Sequence, residues 1–294
     1  MNVQAFLNSK LGVGLGFTIM RSIPAPISYP MVNFFAKQLA RMENLSLVQS
    51  VRKNQLIIHN GRRSSTDLQK AITDVFVYAG RCLVDFYRTL KDPAALQGKI
   101  LKNEALERLI RLSRDKHFGA FLVVPHMSSF DLMLLAAAAL GFEAKVLTFG
   151  KPTGGYKLQN DIRATSGLEI MPVSRDVHEK SIDVMRKGGF VLTAIDRPIS
   201  RLKRKLNFFG RPSPLPAGHI RMALKADVPI LVAAVHMNHD GLYQLSLSDP
   251  IPMIHMSDPD EEIRCNAEKI LQIIEDYIRS HPAQWQMYYP VWPN

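Results

Sequence analysis

The stretch FLVVPHMSSFDLMLLAAAAL, residues 121–140, changes character once, at Pro125. Before the proline, FLVV (121–124) is a short unbroken apolar run, the pattern of a strand buried on both faces. After it, two serines precede a long apolar stretch that reads as a helix over roughly 129–140. Pro125 ends the strand, because proline cannot donate to a sheet ladder. A strand, a short turn and a helix make the first half of a parallel βαβ unit. His126 and Asp131 are the residues of this stretch that an apolar core would normally exclude, and they lie on either side of the predicted helix start.

The same alternation continues downstream. Further strands are predicted at KVLTF (145–149), LEIMPV (168–173), FVLTAI (190–195), PILVAAV (229–235) and LYQLSL (242–247). Helices are predicted over roughly 155–166, 176–187, 216–226 and 259–280. The order argues for an α/β fold with a largely parallel central sheet flanked by helices. Sites in such folds lie beyond the carboxyl ends of the strands. Upstream, apolar residues at Leu68, Ile72, Val75, Phe76, Ala79, Leu83, Phe86, Tyr87 and Leu90 keep helical spacing. They predict one long amphipathic helix from Ser65, with Thr66 as its cap. No repeat, low-complexity tract or flexible linker interrupts the chain. A single domain over 1–294 is therefore expected, with a basic N-terminal region (1–64), a helical segment (65–117) and an α/β body (118–294).

Bulk composition fits a globular protein with a sizeable core: 294 residues, 47% hydrophobic and 21% charged. Two cysteines, Cys82 and Cys265, are too few for a disulfide framework or a four-thiolate zinc site. Cys82 sits in the apolar pattern of the long helix and reads as a buried, inert thiol. The net charge of +11 points to an anionic partner. Residues 1–63 hold eight bases (Lys10, Arg21, Lys37, Arg41, Arg52, Lys53, Arg62, Arg63) against Glu43 alone. RPISRLKRKLNFFGR (197–211) holds six bases and no acid, and its cations beside two aromatics suit a membrane interface. LGVGLGFTIM (11–20) is too short to cross a bilayer, which takes about 20 apolar residues. It suits a membrane-surface segment or a segment packed on the core.

His126 and Asp131 are five apart, about 140° around a helix, so they can meet only if the helix begins between them. Ser128 followed by Asp131 matches a capping pattern that permits such a start. Asp131 in the first turn would then reach back to His126, fix its tautomer and raise its basicity. The plainer alternative is a helix-start acid beside a hydrogen-bonded turn histidine. No GxSxG elbow, HExxH, Cys/His cluster or GxxxxGK[ST] loop is present, so a base acting on a substrate's own hydroxyl is the chemistry left standing.

HMSSFD, as HxxxxD, resembles the signature of the lysophospholipid acyltransferase superfamily. The likeness extends in order through VRKNQLIIHNGRRSS, NDIRATSGLEIMPV, GGFVLTAIDRPI, FFGRPSPLPAGHIRMALKADVPILVAAV and PAQW, over roughly residues 45–290. It is greatest to the branch of lipid A lauroyl/myristoyl and phosphatidylinositol mannoside acyltransferases. That resemblance implies acyl transfer from acyl-carrier protein or acyl-CoA to a glycolipid hydroxyl at the cytoplasmic face of the inner membrane. It makes His126 the base and Asp131 its orienting acid, and no metal or redox cofactor is expected. It places Arg163, Asp196, Arg197, Phe208, Phe209 and Gly210 in acceptor or acyl binding. Gly218, at the predicted start of helix 216–226, offers backbone donors to a phosphate.

Each of these residues also has a plainer reading. Arg163 can simply pair with an acid, Phe208 and Phe209 can be core aromatics, and Trp285 of PAQW reads as structural. Where the branch carries acids just before FFG, this chain has RLKRKLN, whose Arg201, Lys203, Arg204 and Lys205 suit membrane or phosphate contact. Lipid A members commonly begin with a spanning helix, whereas this sequence suggests peripheral attachment to anionic lipid. The enzyme alternative is glycerophospholipid acylation. The non-enzyme alternative is a basic membrane- or nucleic-acid-binding protein, but the basic runs lack a nucleic-acid motif and no nucleic acid is expected.

Overall fold

The computed structural model describes residues 22–61, 64–148, 150 and 155–293. The apolar segment 11–20 lies outside the described residues, as do Lys10, Arg21, Arg62 and Arg63.

Among the described residues, five helices precede the first strand: α1 (Ala25–Ala40), α2 (Ser46–Ile58), α3 (Ser65–Thr89), α4 (Pro93–Gln97) and α5 (Glu104–Arg114). The long helix predicted from Ser65 is α3, but Thr66 does not cap it. Ser64 stands at the cap position and its side chain accepts from the Asp67 amide at 3.1 Å. Val48, Val51, Ile72, Val75 and Phe76 form a core for this helical part.

The body runs β1 (Ala120–Val124), α6 (Phe130–Ala139), β2 (Lys145–Thr148), α7 (Gly155–Ala164), β3 (Glu169–Pro172), α8 (Arg175–Arg186) and β4 (Phe190–Ala194). A hairpin, β5 (Leu206–Phe208) and β6 (Arg211–Ser213), leads to α9 (Gly218–Ala226), which begins two residues later than predicted. The chain continues through β7 (Ile230–Met237), β8 (Tyr243–Leu247), α10 (Pro259–Ser280) and a 3-10 turn, Pro282–Gln284. The main sheet has the order β3-β2-β4-β1-β7-β8. Its pairings are parallel except that of β7 with the edge strand β8, so the predicted largely parallel α/β fold is found.

β1 lies inside this sheet, between β4 and β7, and is buried along its whole length. Its side chains alternate between two cores, as the strand period of two requires. Phe121 and Val123 join the core beneath α9 and α10, while Ala120, Leu122 and Val124 join the one beneath α5 and α6. α10 carries the signals that fix a helix: Asp258 caps it, Pro259 opens it, three acids lie in its first turn and Arg279 in its last. It presents Ile263, Ile270, Ile274 and Ile278 to the sheet. Parallel strands bring β1 and β4 to the same edge of the body with their carboxyl ends side by side, and the candidate site is built there.

Candidate active site

β1 and β4 are paired with Val124 opposite Ala194. Two residues beyond each strand, the same register places His126 beside Asp196. The His126 amide donates to Asp196 Oδ2 at 2.8 Å, and Nδ1 lies 2.6 Å from Oδ1. The Trp285 indole Nε1 donates to Oδ2 at 2.7 Å. Asp196 is fully buried. Burial alone would push its carboxyl up; the charge and hydrogen bonds of His126, with the Trp285 bond, outweigh that and hold it below the usual aspartate range. An ionised carboxylate can only accept, so the proton of the Nδ1 contact sits on the histidine. That tautomer leaves the lone pair of the neutral imidazole on Nε2. The His126 side chain is 28% exposed, so its ring is open to a substrate while its carboxylate is not.

The turn is held rigidly from behind by the segment after α10. Gln286 donates from its amide to His126 O at 2.8 Å and from its side chain to Ser128 O at 3.0 Å. Ser128 donates its amide to Gln284 O at 2.8 Å. The Gln284 side chain is anchored in turn on both backbone groups of Met237 in β7. These bonds hold Ser128 at φ +49°, left-handed backbone that costs a non-glycine residue about 1–2 kcal/mol. Ser128 is therefore a constrained turn residue and not the helix cap predicted for it. Ser129 occupies the cap position, with no side-chain cap bond. Beneath the turn, Cys82 Sγ lies 3.7 Å from Ser128 Oγ. Its thiol is buried, as predicted, and desolvation pushes it up to about 11.

The predicted contact of Asp131 with His126 is not formed. Asp131 is the second residue of α6, and Arg163 from the last turn of α7 donates Nε to its Oδ1 at 2.7 Å. The Arg163 Nη1 also donates to Asn160 Oδ1 at 3.1 Å. The Phe130 ring meets His126 edge-on, with centroids 5.5 Å apart, and carries the Arg163 guanidinium 5.9 Å from its own centroid. Phe130 thus touches both partners, and the Asp131–Arg163 pair supports the histidine through an aromatic ring rather than through its nitrogen.

The other predicted residues are dispersed. Arg197 follows Asp196, with its guanidinium 4.0 Å from the Tyr289 ring centroid. Phe208 and Phe209 are buried, packed with Trp285 and Trp292, so these rings do not form the aromatic membrane edge predicted for FFG. Phe209 and Gly210 have φ +52° and +71°, the left-handed pair that a two-residue hairpin turn between β5 and β6 demands. Arg204 pairs with Asp260, whereas Arg201, Lys203 and Lys205 are exposed. Gly218 opens α9, and an added Cβ there would meet nothing within 4 Å.

Trp285 is the residue that sequence reading missed, since its role as donor to Asp196 depends on a chain reversal after α10. The adjoining cavity, about 190 Å³ and lined by Met127, His236, Ser246, Tyr277, Ser280 and His281 among others, does not include His126. Among the described residues, no group of three His, Cys, Asp or Glu side chains is placed to hold a metal ion. Such an arrangement can do the work of a general base: a ring with one tautomer favoured, a buried carboxylate to stabilise an imidazolium, and a partly exposed ring.

The sequence model of the family "Bacterial lipid A biosynthesis acyltransferase" matches residues 5–293. The phosphatidylinositol mannoside acyltransferases of Mycobacterium tuberculosis strains CDC 1551 / Oshkosh and ATCC 25618 / H37Rv are each 24% identical to this chain over 179 residues, 59% of it and 54% of the relative. The matched region therefore spans about half the length of those curated relatives. The crystal structure of the 1-acyl-sn-glycerophosphate (LPA) acyltransferase PlsC from Thermotoga maritima aligns over 86% of this chain and 98% of its own, with 14% identity and a TM-score of 0.39. That likeness is too distant to bear on the site.

Proposed function

The chain belongs to the bacterial lipid A biosynthesis acyltransferase family, and from that premise we propose that it transfers a fatty acyl chain from a thioester donor to a hydroxyl of a membrane glycolipid. His126 Nε2 takes the proton of the acceptor hydroxyl as its oxygen attacks the thioester carbonyl. Asp196 keeps the Nδ1 proton in place and stabilises the imidazolium that forms. When the tetrahedral intermediate collapses, the carbon–sulfur bond breaks, the imidazolium returns the proton to the leaving thiolate, and ester and free thiol result. The observation that carries this reading is the buried Asp196 carboxylate receiving the backbone amide and Nδ1 of His126 and the Trp285 indole. Asp131 keeps a supporting part through Arg163 and Phe130.

The donor is acyl-carrier protein or acyl-CoA, and the acceptor class follows the phosphatidylinositol mannoside relatives. Arg197, with the exposed Arg201, Lys203 and Lys205, begins just past the catalytic strand end and suits phosphates on either substrate. No described helix is long and apolar enough to cross a membrane. Because both donors are cytoplasmic thioesters, we place the protein peripherally on the cytoplasmic face of the inner membrane. Mass spectrometry of lipids from cells with and without the protein tests the reading. A glycolipid one acyl chain heavier is expected only when the protein is present. An unchanged glycolipid pool, or a change confined to glycerophospholipids, would overturn it.

A further inference from the structure

Helix α1 is amphipathic the wrong way round for a helix whose large apolar side chains belong in a core. The residues it turns inward are small: Ser28, Ala36 and Ala40 are buried. Val32 lies so close to α3 that a Cβ added at Gly80 would fall 2.3 Å from its Cγ1. Met31, Val32 and Leu39 are partly buried, but three large apolar residues point outward, Ile27, Phe34 and Phe35, each 57–61% exposed. Helical spacing puts Ile27, Pro30, Phe34, Lys37 and Arg41 on one stripe, with Phe35 packed edge-on against Phe34 at 5.7 Å. Ordinary surface helices place such groups against the protein, because burying each is worth about 1.5–3 kcal/mol.

We propose that this outward face of α1 is the surface by which the protein docks on an anionic lipid bilayer, with Ile27, Phe34 and Phe35 entering the acyl boundary and Lys37 and Arg41 meeting head-group phosphates. The inference rests on the reading that the acceptor is a membrane lipid. Charge selects the occupant. The helix contains no acid, and its stripe ends in two exposed cations. The next acid along the chain, Glu43, is engaged by Arg52 at 2.7 Å, and Asp85, which Tyr29 meets, lies on the inner side. Aromatic groups flanked by bases are the composition of an interfacial helix. The helix is also held fast from its inner side, so its outer face is presented rather than free to fold back. Tyr29 donates to the buried Asp85 at 2.5 Å, Lys99 pairs with the same carboxylate at 2.6 Å, and Arg88 donates to Ile23 O at 2.7 Å.

The test is sedimentation of the full chain with phosphatidylcholine vesicles, with and without phosphatidylglycerol, and it needs no substrate. Wild-type protein is expected to sediment with the anionic vesicles. The double variant Phe34→Ser/Phe35→Ser should lose at least about tenfold in partitioning, even when each ring inserts only in part. Lys37→Gln and Arg41→Gln, which keep the helix and its rings, should each lose about fivefold at low salt and nothing at high salt. Unchanged partitioning of all three variants overturns the proposal. If light scattering then shows a wild-type dimer that Phe34→Ser/Phe35→Ser dissociates, the face belongs to a second copy. If the face of the monomer is protected from hydroxyl-radical labelling without vesicles, residues 1–21 cover it. Vesicle binding without acyl transfer by the wild type would sink the functional reading and leave the docking face standing.

Discussion

Asp196 lies two residues past β4 and is fully buried, whereas Asp131 sits in the first turn of α6 with its side chain 16% exposed. Asp196 receives three hydrogen bonds, two of them from His126, while Asp131 answers a single arginine. Asp131 is five residues from His126 in the chain and Asp196 is seventy, yet the distant carboxylate is the one on the imidazole. Parallel strand register explains this: with Val124 opposite Ala194, the residues two positions on, His126 and Asp196, come side by side at the carboxyl edge of the sheet. Nearness along a turn is adjustable, but nearness fixed by a ladder is not. A base that must hold one tautomer gains more from the second.

The largest effect expected is that of His126→Ala, a loss of about 10²–10⁴-fold in acyl transfer with the fold intact, the usual contribution of a general base. Retained turnover of an acyl thioester to a lipid acceptor would end the mechanism. Asp196→Asn and Asp131→Asn separate the two carboxylates. The first removes the charge that orders the ring, and a loss of about 10²-fold or more is expected. The second leaves the Asp196 clamp in place and should cost about tenfold or less, about 1.4 kcal/mol of barrier. Rate assays on the two purified variants decide it, and equal losses would break the distinction.

Asp196 also links to pH. Its folded pKa is depressed, so the stability it contributes is present above its unfolded value of about 3.9 and is lost as pH falls through the folded pKa. The stability gap between wild type and Asp196→Asn should therefore close in strong acid. Trp285→Phe keeps an aromatic ring but removes the bond to a charged group and part of the buried bicycle, an expected loss of at least about 1.5–3 kcal/mol in denaturant unfolding. An unchanged midpoint would make the indole bond incidental.

His219 is the control, a histidine with no carboxylate. It is buried, its Nε2 has no hydrogen-bond partner, and burial holds it down to about 3. The unfolded chain binds its proton near pH 6.5 and the folded chain only near 3. As pH falls through that window, stability should drop by about 1.4 kcal/mol per pH unit. His219→Leu should remove that share of the acid slope, and an identical slope in both proteins would contradict it.

Much of this was legible in the sequence. The alternation that starts at FLVV marked the strands of the sheet and the helices between them, because burial on two faces and helical periodicity leave distinct patterns. His126 was legible through Pro125, which ends the strand just before it. Its partner was not, because nothing in a single sequence states that β4 lies beside β1, and the capping pattern Ser128–Asp131 offered a nearer carboxylate. Ser128 failed as a cap because the turn needs it in left-handed backbone. The membrane edge expected of Phe208 and Phe209 failed because local charge does not reveal that the hairpin turns both rings onto Trp285 and Trp292. The inverted face of α1 was readable in principle, since Ile27, Phe34, Lys37 and Arg41 share a helical stripe, but only packing shows which side faces the body.

The central claim is that Asp196, not Asp131, holds the His126 ring. Nitrogen-15 spectra of histidine-labelled protein read the tautomer directly, without substrate or membrane, once His126→Ala has identified the His126 signals. The Nδ1–H form of His126 is expected in the wild type, with its retention in Asp131→Asn and its loss or mixing with the Nε2–H form in Asp196→Asn. A tautomer that survives Asp196→Asn and is lost in Asp131→Asn would contradict the account.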